Sequence, residues 1–161
     1  MWDQFIISFL SDLTSGFLLA LIIFISSYYI FKIPDLNGHW TLNATTLDAK
    51  FHDYRGMALI YNVLLWQEGK KIYGTGEKSQ EKTSDGKVKL YDPGKRTHIE
   101  ISGYINKKYH SRSLIVLHIK EEGELRKSST IQLVKLKKKK LFGSFDSTIS
   151  DSSGTVTWTR V

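Results

Sequence analysis

From Gly38 onward the sequence repeats every two residues, and the helical period is gone. Ile99-Ile101-Gly103-Ile105 alternates along one face, and Val156-Trp158 is set against Thr155-Thr157-Thr159. Such patterns put apolar and polar side chains on opposite faces of an extended backbone. Strands are expected at 38–47, 55–67, 70–78, 97–106, 112–121, 125–137, 140–149 and 154–161. Short polar links join them: Glu68-Gly69-Lys70, Glu121-Glu122-Gly123-Glu124, Lys137–Lys140 and Asp151-Ser152-Ser153-Gly154. The longer polar stretch after residue 78 has room for one more short strand at Lys87–Tyr91. Sequential antiparallel strands with no helix to cover them must bury one face and leave no open edge. An up-and-down barrel or a closely rolled sandwich meets both demands. The expected class is all-β, an eight-stranded antiparallel up-and-down barrel over 34–161, with room inside for side chains or one small ligand. Gly74, Gly76, Gly103 and Gly143 fall within the strands, where glycine bends a sheet or lets a ligand approach the backbone.

Residues 1–33 follow a different rule. Leu13–Ile33 carries no charge before Lys32 and is nearly all apolar from Gly16 to Phe31. About 20 such residues cross a hydrocarbon core, so 13–33 is expected to be a transmembrane helix. A cleaved signal is disfavoured, because Asp3 and Asp12 precede the run and Phe-Lys-Ile-Pro follows it. The basic residues lie only on the C-terminal side, which favours a single pass with the barrel in the cytoplasm. In 2–12, Trp2, Phe5, Ile6 and Phe9 recur at helical spacing opposite Asp3, Gln4, Ser8 and Ser11, the pattern of an interfacial amphipathic helix.

Composition narrows the chemistry. Without cysteine there is no disulfide framework, thiolate metal site or cysteine nucleophile. The five histidines lack metal-ligand spacing, and no nucleophile elbow, P-loop or dinucleotide fingerprint is present. A binding protein without cofactor or metal is expected rather than an enzyme. Lys32, Asp3 and Asp12 are the charges before residue 34, so the remainder holds 22 basic and 14 acidic side chains. Such a field attracts phosphates, nucleotides or acidic lipid. Nucleic acid is not an expected partner, since no RNA- or DNA-binding motif is present. The run Lys135, Lys137–Lys140 reads as a solvated hairpin tip that would hold anionic headgroups if it lay near a membrane.

Gly38-His39-Trp40 on the first strand and Arg160 at the end of the last resemble the calycin pattern of lipocalins. That resemblance implies structural closure of one barrel end by Gly38, Trp40 and Arg160, with Trp40 and Arg160 meeting as a cation–π pair. The whole chain resembles the membrane effectors of bacterial CBASS antiphage systems, the SMODS-associated two-transmembrane, β-strand-rich effectors. The residues that carry this likeness are Ile33-Pro34-Asp35-Leu36-Asn37-Gly38-His39-Trp40 and Gly154-Thr155-Val156-Thr157-Trp158-Thr159-Arg160. The chain departs from the family in showing one sure span where the family has two. The resemblance implies a cyclic dinucleotide ligand, residence in the bacterial inner membrane, and homo-oligomers that disrupt the membrane on activation. The alternative is a membrane-tethered calycin-like binding or scaffold protein for an apolar ligand or a protein partner.

A barrel that recognises a cyclic dinucleotide needs rings for bases, cations for phosphates and hydroxyls for the sugar edge. Arg126, Lys127, Ser128 and Thr130 supply two of these types on one strand, with Arg126 as the phosphate clamp. Tyr61, Tyr73, Tyr104 and Trp158 supply rings, and Arg112 and His118 supply further polar groups.

Overall fold

A computed structural model describes residues 2–30, 33–107, 113–123 and 127–161. The chain forms two compact units, Met1–Ile33 and Pro34–Val161.

The first unit is one helix, α1 (Trp2–Ile30). The amphipathic start at 2–12 and the span form one continuous helix. The stretch Ile6–Ser26 is long and apolar enough to cross a membrane. It begins earlier than the expected 13–33 and takes in Asp12. Ser15 and Thr14 back-bond to carbonyls one turn earlier, so these hydroxyls do not interrupt the helix.

The second unit is a closed antiparallel barrel, and the up-and-down order expected from sequence is the one observed. Its strands are β1 (Gly38–Asp48), β2 (Ala58–Glu68), β3 (Lys71–Lys82), β4 (Val88–Leu90), β5 (His98–Asn106), β6 (Leu114–Glu122), β7 (Lys127–Lys137), β8 (Lys140–Ser147) and β9 (Ser152–Arg160). Eight of them form the wall, in the order β2-β1-β9-β8-β7-β6-β5-β3, and β3 pairs back onto β2. The short β4 lies outside this ring, paired only to the end of β3 (Gln80↔Leu90). One link departs from the sequence reading. Ser152, Ser153 and Gly154 are strand residues, and the turn before them is a 3-10 segment, Ile149–Asp151, with Ser150 and Asp151 at positive φ. Gly154 is therefore not a turn glycine but faces the interior.

One end of the barrel is packed shut. Trp40 (β1) and Trp158 (β9) are 1% and 0% exposed, and Leu36, ahead of β1, is buried beside them. Each indole contributes roughly 4–6 kcal/mol of apolar transfer before the entropy of ordering it. The Trp40 indole N–H donates to the Leu36 carbonyl at 2.9 Å, and the Trp158 N–H donates to Gln132 Oε1 at 2.9 Å. Arg160, register partner of Trp40, sets its guanidinium carbon 5.9 Å from the Trp40 ring centroid. It also donates to the Asn37 carbonyl and lies 3.6 Å from Asp35. The Asn37 N–H, donating to the Asp35 carboxylate, holds that carboxyl below its ordinary pKa. Gly38 has φ +122°, a conformation that side chains rarely adopt, while a Cβ there would only touch the Arg160 guanidinium at 3.5 Å, so the backbone turn into the plug sets the glycine of Gly-x-Trp.

The glycines inside the strands sit where neighbouring strands approach closely, as expected for residues that let the sheet bend. At Gly143 a Cβ would fall 1.9 Å from the Leu133 carbonyl oxygen, so bare backbone lets neighbouring strands coil tightly.

Candidate ligand-binding cavity

The opposite end stays open because the inward side chains taper. Along β1 they run Trp40, Leu42, Ala44, Thr46; along β9, Trp158, Val156, Gly154, Ser152; along β7, Val134, Gln132, Thr130, Ser128. Large apolar groups fill the closed end, while small and hydroxylated ones leave a cavity of about 810 Å³ at the other. That volume lies within the range of small-molecule sites, roughly 300–1,000 Å³.

Leu42 and Phe145 lie nearest the packed end, with Gln132 beside the indole that it accepts from, while Leu59 and Ile119 stand level with Glu81 and Thr130 in the strand register. Among these apolar groups, Thr46, Thr97, Ser128, Thr130, Ser147 and Ser152 bring hydroxyls, and Tyr54, Tyr61 and Tyr91 bring rings. Lys78 on β3 reaches over β5 to Glu121 on β6, and the two form an ion pair at 2.5 Å. Tyr61 donates its hydroxyl to the other Glu121 oxygen at 3.1 Å, and the Lys78 ammonium lies 5.9 Å from the Tyr61 ring centroid. Burial, reinforced by the Glu121 carboxylate, pushes the Tyr61 phenol well above its ordinary pKa.

A bulge builds the second polar pair. The β2–β3 register slips between Ile60 and Tyr61, leaving Ser79 opposite no residue and its hydroxyl bonded to the Ile60 carbonyl. One extra residue reverses the alternation, so Lys78 and Glu81, three apart, both line the cavity. Tyr91 donates to Glu81 at 2.8 Å, and burial together with that hydrogen bond raises its phenol to about 12. Arg96 at the rim bonds the Tyr91 carbonyl and Glu77.

Of the residues singled out in the sequence, the cavity gathers Tyr61, Ser128 and Thr130. Trp158 is core at the closed end and reaches no ligand space. Lys127 points outward from β7 and pairs with Glu122 at 2.8 Å. His118 also faces out, 2.5 Å from the Ser129 hydroxyl. Tyr73 stacks on Trp66 on the outer wall, ring centroids 6.3 Å apart, and Tyr104 is 51% exposed there. The reason is alternation: in β7 the even residues face in, and Tyr73 and Tyr104 have outward parity in β3 and β5. Arg112 and Arg126 lie outside the described residues.

Sequence reasoning missed Lys78, Glu121 and Gln132, although the same alternation places all three inside. It also missed Glu81 and Tyr91, which depend on the bulge and on a long loop. Among the described residues, no group of His, Asp and Glu side chains is arranged to hold a metal ion. Comparison with known protein families, characterised proteins and solved structures returns no match to the chain.

Proposed function

We propose that the chain is a membrane-anchored effector of CBASS-type antiphage defence whose barrel senses a cyclic dinucleotide through its open end. The observation that carries this reading is the cavity of about 810 Å³, lined by hydroxyls and tyrosines among apolar side chains, with Lys95 and Arg96 at the rim. Hydroxyls and Gln132 suit the polar edges of bases and sugars, Tyr54 and Tyr91 offer ring faces, and the rim cations suit phosphates. Arg96 supplies a cation and Tyr91 a ring beyond those expected from the sequence. In this reading α1 anchors the protein in the bacterial inner membrane, with the barrel on the cytoplasmic side where Lys32 lies. Ligand drives oligomerisation only by binding the assembled barrel more tightly than the single one. Clustered α1 helices then breach the membrane.

A fully apolar ligand fits less well, because Lys78, Glu81, Glu121 and the hydroxyls would each lose water without replacement. The test is thermal unfolding of the full chain in detergent against a panel of cyclic dinucleotides, mononucleotides and fatty acids. A cyclic dinucleotide at 100 times its dissociation constant is expected to add about 2.7 kcal/mol of stability. Stabilisation by fatty acids alone would shift the assignment to a calycin-like carrier, and no stabilisation by any nucleotide at millimolar concentration would sink the sensor reading.

A further inference from the structure

The outer wall of the barrel is not uniform. On β1 and β9 the outward residues are mostly polar, with Thr41, Asn43 and Thr45 beside Thr155, Thr157 and Thr159 and only Leu47 apolar near the open end of β1. The far side carries an apolar belt. Trp66 sits opposite Tyr73 in the β2–β3 register, Tyr104 opposite Val116, and Val116 opposite Leu133, with Phe142 one step further on β8. Trp66 is 43% exposed, and Leu133 and Phe142 are about as open. A belt that crosses six neighbouring strands is larger than the scattered apolar residues ordinary on a soluble surface.

Charge is sorted in the same direction. Lys70, Lys71, Lys135 and Lys137–Lys140 are exposed at the closed end, beside or just below the belt. The side-chain carboxylates described there are Asp35, held by Arg160, and Glu68. Lys138 and Lys139 also occupy the tight β7–β8 turn at φ +47° and +63°, a conformation that favours Asn-Gly. Turn chemistry disfavours lysine there, which points to a use for the charge. Finally, Ile30 is the last described residue of α1, and Leu36, six residues on, is buried at the closed end of the barrel. Six residues span no more than about 22 Å.

We infer that the β2-β3-β5-β6-β7-β8 wall docks on the surface of an anionic bilayer, with Trp66, Tyr73 and Tyr104 at headgroup level and the 137–140 lysines on the phosphates. Tyrosine and tryptophan favour that level because each has an apolar ring and a polar tip. Lysines beside them add attraction to acidic lipid, and the short tether keeps the wall within reach. The cavity mouth lies at the other end of the strands and stays open to solvent. This inference rests on α1 as a membrane span but not on the identity of the ligand.

The chain has no cysteine, so single labelling sites are clean. Tyr104→Cys, Thr155→Cys and, within α1, Leu19→Cys each carry an environment-sensitive fluorophore in full-length protein. The protein is reconstituted at one copy per nanodisc, in phosphatidylcholine with or without phosphatidylglycerol. Headgroup-level quenchers are expected to quench position 104 strongly in the anionic discs and position 155 little. Replacing Lys137–Lys140 with glutamine, or adding high salt, should remove most of the quenching at 104 and leave position 19 quenched by acyl-chain probes. Equal quenching at 104 and 155, or none at 104, overturns the docking surface. Protection at 104 that requires two copies per disc also overturns it, assigning the belt to a second barrel. A position 19 untouched by acyl-chain quenchers removes the span and the docking surface together, while nucleotide binding by the barrel would survive.

Discussion

Lys78 and Glu121 form an ion pair 2.5 Å long across the upper barrel, with 12% and 15% of their side chains exposed. They stand on strands that are not neighbours, so the pair ties β3 to β6 over β5 and sets the polarity of the cavity wall. Lys78→Met leaves the Glu121 carboxylate without its partner and should destabilise the barrel by about 1–3 kcal/mol. The cost is expected to fall below that of a fully buried pair, because the cavity admits water. Adding Glu121→Gln should recover part of it, and a double-mutant cycle read by denaturant unfolding gives the coupling.

The two cavity phenols predict an alkaline limit. Tyr61 and Tyr91 ionise at about 10 in the unfolded chain and higher in the barrel, Tyr91 at about 12. Above pH 10 the folded state therefore holds more protons than the unfolded state. Stability is fully present below that pH and falls as pH rises toward 12. Tyr91→Phe should make the fall shallower. Tyrosinate absorbance checks the premise, and uniform ionisation of all tyrosines near pH 10 in folded protein would refute it.

At the closed end, Gln132→Leu keeps the volume but strips the Trp158 N–H of its acceptor. A loss of about 1–3 kcal/mol is expected. Trp40→Ala, which opens a cavity and releases Arg160, should cost about 3–5 kcal/mol. Chemical denaturation of both variants tests whether the plug, rather than the wall, sets overall stability.

Gly143→Ala should be worse than Gly38→Ala. The first drives a methyl into the Leu133 carbonyl and must separate β7 from β8. The second keeps the space and costs about 1–3 kcal/mol for holding alanine at φ +122°. Melting temperatures in that order would support tight strand coiling as the reason for the strand glycines.

Ligand binding should depend on the face that a residue occupies. Ser128→Ala and Thr130→Val alter the cavity wall and are expected to weaken a bound nucleotide several-fold. His118→Asn and Tyr73→Ser lie outside and should leave affinity unchanged. Calorimetric titration of the four variants against the stabilising nucleotide decides it, and equal losses inside and outside would remove the cavity as the site.

The strands, their order and the meeting of Trp40 with Arg160 were legible in the sequence. Strand alternation is a local property, every wall strand pairs with its neighbour in the chain, and eight such strands have no edge left once the last meets the first. Trp40 and Arg160 were legible for the same reason, since the first and last strands must adjoin. Only the tertiary structure decided which inward residues meet. Alternation assigns Ser128 to the interior and Lys127 to the exterior, but it does not say that Lys78 reaches Glu121 across a third strand. Glu81 became a cavity residue through a single bulged serine, Ser79, which local pattern does not register. Trp158 shows the converse: its inward face was evident, yet its place among the packing side chains of the closed end follows from the taper of three strands together. Face is set by a residue's immediate neighbours. Height, partner and access to solvent are set by how eight strands coil and fill one interior.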